Sequence, residues 1–169
     1  MERKILSQID LFYGDVKMPK DWDIDRHQLS HDILYAETMK KPFPFSKNIQ
    51  ILNTYLVDYF KVKFNLTLNF KNTWGNVYKP NQSSYLCKTT NESDLKNSPD
   101  YTLIYVVKAN KDSCFVRIYY DDNRRKGQFF DVKLKDNYFV MFPSSLNYIV
   151  SENLSNDLNC IQTLVYERI

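Results

Sequence analysis

Glycine is scarce, with only 3 in 169 residues. Backbone that must approach a phosphate closely needs glycine, so a phosphate-cradling loop is excluded. Neither GxGxxG nor GxxxxGK followed by Ser or Thr occurs. Histidine is scarcer still: His27 and His31 are the 2 present, and none follows position 31. The 3 cysteines, Cys87, Cys114 and Cys160, are odd in number and show no CxxC spacing. That pattern points to reduced thiols in an intracellular setting, with Cys114 and Cys160 as small core residues in strands. No apolar run approaches the roughly 18 residues needed to cross a bilayer, so no membrane is expected as a partner. The opening MERKILSQIDLF carries charge, has no continuous apolar stretch and has no small-residue cleavage site, so a signal peptide is not expected. Excess charge of one sign is also missing. The 23 basic and 20 acidic side chains give a net +3, which excludes a strongly basic nucleic-acid binder on bulk charge.

What is present is a foldable chain. Apolar residues make up 43%, too high for disorder, and the length fits one domain, 1–169. Aromatics reach 15%, with 13 Tyr and 11 Phe. Together with abundant Asn, Lys and Ile, this is the mix that AT-rich codons encode, as in a phage or an AT-rich bacterium. One small core does not need so many rings, and Tyr and Phe are enriched at interfaces.

The pattern divides the chain into a helical front and a stranded back. Residues 1–22 form an arm or edge strand with Ile5, Leu6, Ile9, Leu11, Phe12, Tyr13 and Trp22, ended by Gly14 and Pro19. Residues 23–64 hold two helices. Asp23 or Asp25 caps the first, which carries Leu29, Ile33 and Ala36 at helical spacing and stops at Pro42 and Pro44. Ser46 caps the second, with Ile49, Leu52, Leu56 and Tyr59 on one face. Residues 65–169 switch to a period of two. Strands are expected at 66–70, 73–78, 84–88, 101–108, 114–120, 130–134, 138–142, 148–150 and 158–166. The strand YTLIYVVK is apolar nearly throughout, so it is buried on both faces. Leu103, Ile104, Val106, Val116, Ile118, Val140 and Phe142 are the expected core between two sheets. Asp136-Asn137 makes a tight turn. Helices followed by many short strands give an α+β class with a sandwich or barrel.

Three pieces of sequence carry a resemblance. They are Trp74-Gly75-Asn76-Val77-Tyr78-Lys79-Pro80, the strand Asp100–Lys108, and Asp136-Asn137-Tyr138-Phe139-Val140-Met141-Phe142-Pro143-Ser144. Their order is similar to the double-stranded β-helix, or jelly-roll, of the Fe(II) and 2-oxoglutarate-dependent oxygenases, prolyl-hydroxylase type. Asn137 stands where that family favours Gly, and Asn tolerates the left-handed backbone. The resemblance implies a His-x-Asp/His pair after the tryptophan strand, where this chain reads Cys87-Lys88-Thr89. It implies a distal His after Phe-Pro-Ser, where Asn147 stands, and a cation on the last strand, where the chain reads Asn159-Cys160-Ile161-Gln162-Thr163. Iron in this family needs two His and one carboxylate on one face. A thiol, a hydroxyl and an amide do not replace them. The resemblance therefore implies a degenerate member with no catalytic, cofactor-binding or metal residues and no cofactor.

Other constellations are bland. His27 and His31 share a helix face, but HExxH is absent and they read as surface or structural histidines. The serines lack a GxSxG elbow. Asp121-Asp122 and Asp21/Asp23/Asp25 read as solvated or capping carboxylates. Arg124-Arg125-Lys126 is a charged hairpin tip. The expectation is a non-catalytic jelly-roll for binding or assembly, a phage virion component in the virion or host cytoplasm. Its expected partners are other protein subunits rather than nucleic acid, with contacts at Phe12, Tyr13, Arg124, Arg125 and Lys126. An active oxygenase with unusual ligands is the alternative.

Overall fold

The computed structural model describes residues 9–20, 22–42, 46–121 and 127–169. Two helices lie in the front half. α1 runs Arg26–Thr38 and α2 runs Lys47–Phe64. Of the two candidate caps for α1, Asp25 is used: its carboxylate accepts from the Gln28 N–H at 2.9 Å. The Ser46 hydroxyl accepts from the Ile49 N–H at 3.4 Å, as expected of an N-cap. Asn65 closes α2 in the left-handed conformation.

Among the described residues eight strands follow or flank the helices: β1 (Phe12–Asp15), β2 (Leu68–Tyr78), β3 (Tyr101–Lys108), β4 (Phe115–Asp121), β5 (Gln128–Lys133), β6 (Tyr138–Pro143), β7 (Asn147–Val150) and β8 (Asn159–Arg168). They form a five-stranded sheet in the order β1-β6-β3-β8-β2 and a three-stranded sheet in the order β5-β4-β7, with all pairs antiparallel. The helices cover one face of the larger sheet, and the smaller sheet covers the other. This is the α+β double-stranded β-helix.

The larger sheet is therefore apolar on both sides. Thr102 through Val107 of β3 are all buried, as the continuous apolar run predicts. Alternation then sorts them. Ile104, Val106, Val116, Ile118, Val140 and Phe142 meet between the sheets. Leu103 is buried too, but with Tyr105 and Val107 it faces the helices, against Leu52, Leu56 and Phe60. Its expected place between the sheets is corrected by the period of two: Leu103 and Ile104 cannot share a face.

Other departures have local causes. The expected strands 66–70 and 73–78 are one strand, because an irregularity between Phe70 and Asn72 absorbs the change in phase. The segment 84–88 is not a regular strand. Only Cys87 pairs fully, with Tyr148, while the Ser84 hydroxyl accepts from the Val150 N–H at 2.8 Å, where a ladder would use a carbonyl. Phe130, inside β5 opposite Ile118, stays 44% exposed, and its ring meets Tyr13 at 6.1 Å. Asn137 sits at φ 57°, and its side chain fixes the position by accepting from the Tyr105 hydroxyl and donating to the Val16 carbonyl. The arm is the edge of its own sheet: Phe12–Asp15 pairs with Tyr138–Met141 of β6 and does not end at Gly14. Ile5 and Leu6 lie outside the described residues. No described helix is long and apolar enough to cross a membrane.

Candidate functional site

The site is the mouth of the barrel, between β2 and β8 on one side and β7 with the 84–89 segment on the other. Strand parity decides what faces it. On β2, Gly75 turns toward Ile33 of α1 and Val77 joins the helix-side core, so Trp74, Asn76 and Tyr78 face inward. On β8, Ile161 and Thr163 face inward, while Cys160 and Leu164 face the helices. Ile104 of β3 and Tyr148 and Val150 of β7 complete a cavity of about 830 Å³.

Cys87 is half-buried at this mouth. Its backbone exchanges hydrogen bonds with Tyr148, Cys87 N–H to Tyr148 C=O at 2.8 Å and the reverse at 2.9 Å. Its thiol donates to the Tyr85 carbonyl at 3.2 Å, and Tyr148 is its cross-strand neighbour. Thr89 also lines the cavity. Its hydroxyl is bonded to that of Thr102, which meets the Ser144 hydroxyl at 2.8 Å. The expected third position, Asn147, is not in this group. On β7, Tyr148 and Val150 join the core between the sheets, and Asn147 takes the opposite parity. Tyr148, not among the expected site residues, is the one that faces Cys87. The signal for it is the alternation Tyr148-Ile149-Val150, in which the apolar Val150 fixes the parity of Tyr148.

The electrostatics follow from burial. Tyr78 and Tyr148 are both held well above the usual phenol range, chiefly by desolvation, with Cys87 adding to each. They are neutral donors across the ordinary pH range. Deeper in, Cys114 is pushed up by burial, partly offset by hydrogen bonds from Ser113 and Asn159. Asn159 donates to the Ser113 hydroxyl at 3.3 Å and the Cys114 sulfur at 3.2 Å. The inward positions of β8 hold Asn159, Ile161 and Thr163 and carry no cation.

The strand order, the helices on the larger sheet and the cavity between the sheets together have known counterparts. This is the fold of the 2-oxoglutarate and Fe(II)-dependent oxygenases. A Pseudomonas putida prolyl-4-hydroxylase matches with a TM-score of 0.65 at 13% identity, over 94% of this chain and 88% of that one. AviO1 from Streptomyces viridochromogenes Tue57 matches at 0.67 and 9%, over 95% and 90%. A 2OG-Fe(II) oxygenase-family oxidoreductase from Burkholderia pseudomallei matches at 0.54 and 7%, over 71% and 57%. No protein-family model and no curated relative matches. At these identities the likeness is one of fold.

The donors at the mouth do not fit that family's iron. The mouth offers two neutral phenols, one thiol and one threonine hydroxyl but no imidazole, and its one carboxylate, Glu37, accepts from the Val77 N–H at 3.0 Å, whereas the iron needs two imidazoles and a carboxylate together. His27 and His31 are far from substituting for them. They are exposed on α1, with ring centroids 4.6 Å apart. Among the described residues no group of three His, Cys, Asp or Glu converges. Nor do the inward residues of β8 fit the carboxylate of 2-oxoglutarate, which needs a cation.

The remaining expected contacts are scattered. Phe12 packs edge-on against Phe60 at 5.4 Å and Phe64 at 4.8 Å, partly buried against the helix-side core. Tyr13 points the other way and is 49% exposed. Arg124, Arg125 and Lys126 lie outside the described residues, as do Asp21 and Asp122. Asp23 is exposed, as a solvated carboxylate should be.

Proposed function

We propose that the chain is a non-catalytic jelly-roll that works by binding or assembly. The observation that carries this reading is the Cys87-Thr89-Tyr148 set at the barrel mouth, in place of iron ligands. Function follows the site rather than the fold, so the oxygenase-like architecture does not by itself bring the chemistry. Within this reading we place the protein as a phage virion component contacting other protein subunits. The support is its aromatic-rich, AT-biased composition and the exposed Tyr13 on an edge strand. The second reading is an oxygenase with unusual ligands, favoured by the likeness to a prolyl-4-hydroxylase over nearly the whole of both chains.

The deciding experiment combines metal analysis with turnover. Purified protein is incubated with Fe(II), 2-oxoglutarate and oxygen, and bound iron and released succinate are measured. The non-catalytic reading expects neither near-stoichiometric iron nor succinate above the protein-free control. Succinate release abolished by Cys87→Ala and Tyr148→Phe establishes the second reading instead.

A further inference from the structure

We infer that the mouth cavity binds a small amphipathic anion, with a planar apolar body inside and one anionic group at the end of α1. This rests on the non-catalytic reading of the same site. The volume of about 830 Å³ lies within the range that holds drug-sized ligands. The apolar part of its lining is Trp74, Tyr78, Ile104, Tyr148 and Ile161, and uncharged polar side chains such as Asn76, Thr89 and Thr163 stand beside them. Stacking and burial of a flat apolar body suit such walls.

Charge appears at the rim and is uneven. Lys40 and Lys41 follow the end of α1 and border the cavity. Glu37 borders it too, but one of its carboxylate oxygens is engaged by the Val77 N–H at 3.0 Å, and the two lysines outnumber it. Lys88 is at the rim and paired with Glu92 at 2.7 Å. A ligand with one outward anionic group therefore meets cations while its body stays among uncharged walls. A dicarboxylate such as 2-oxoglutarate is disfavoured, because its inner carboxylate would be buried among neutral donors with no cation to pair with.

The test uses the full chain with Trp22→Phe, which leaves Trp74 as the only tryptophan. Trp74 fluorescence is titrated with 3-phenylpropionate, its uncharged primary amide, and 2-oxoglutarate. We expect saturable changes with the acid and the amide, the acid binding about three- to tenfold tighter, as two exposed cations would provide. The double variant Lys40→Asn, Lys41→Gln is expected to remove that ratio and leave the amide unchanged. Asn suits position 40 because its φ is 51°. Amide binding by the double variant shows that the cavity is intact. No saturation with either compound, equal affinity for acid and amide, or displacement by 2-oxoglutarate overturns the inference. The first two results leave the non-catalytic reading standing, because iron and succinate are measured separately. Displacement by 2-oxoglutarate counts against both.

Discussion

Adding one methyl group at Gly75 tests how the helical layer is seated on the barrel. A Cβ built there would lie 2.7 Å from both Cγ1 and Cγ2 of Ile33 and 3.1 Å from its Cβ. Ile33 is 1% exposed and packed within the helix-side core, so its side chain has no free volume to swing into. Gly75→Ala must push α1 away from β2 or force Ile33 off its rotamer, at about 1–3 kcal/mol for such overpacking. Ile33→Ala alone removes the clashing carbons from a full core and should cost about 2–5 kcal/mol. In the double variant the new methyl occupies part of the space left by Ile33. Only the 3.1 Å approach to the remaining Cβ stays tight. The double variant should therefore be more stable than the sum of the singles by about 1–3 kcal/mol, a coupling expected of residues in direct contact. Equilibrium urea unfolding of the four proteins measures it. Additivity within about 0.5 kcal/mol would mean that α1 does not seat on β2 through this contact.

Three further outcomes follow from the same packing. Phe142→Ala should lose about 3–5 kcal/mol, because the ring is fully buried between the sheets and lies 5.1 Å from that of Tyr148. A loss under about 1 kcal/mol in urea unfolding would show that β6 is misplaced. Tyr78, Tyr105, Tyr148 and Tyr166 are all raised above the ordinary phenol range by burial. The unfolded chain releases these protons above about pH 10 while the folded chain keeps them. Stability is then complete below that pH and falls above it, by up to about 1.4 kcal/mol per pH unit for each phenol. A urea midpoint unchanged from about pH 9.5 to about pH 11 would contradict this. A thiol reagent at about pH 8 should modify the half-buried Cys87 well before Cys114 and Cys160, which are both buried and raised by desolvation. Simultaneous labelling of all three, followed by mass spectrometry, would refute the placement of the two inner cysteines.

Features that depend on neighbours in sequence are legible in the sequence alone. Ser46 and Asp25 cap their helices because a short oxygen-bearing side chain reaches a backbone N–H three residues on. Asn137 takes the left-handed turn. The uninterrupted YTLIYVVK is the strand buried on both faces. The absence of a histidine after position 31 already limits the ligand chemistry of the mouth, whatever the fold brings together there.

Features that depend on parity and pairing come only from the tertiary structure. A shift of one residue exchanges the two faces of a strand. That shift separates Tyr148 from Asn147 at the mouth and puts Leu103 under the helices instead of between the sheets. Whether the Phe12 strand pairs with its own sheet depends on an edge that β6 supplies from far along the chain. The uncharged walls of the cavity and its lysine rim likewise come from α1, β2, β3, β7 and β8. Local propensity can say that a residue is in a strand. Only the packing of one sheet on another says which side of the strand it occupies.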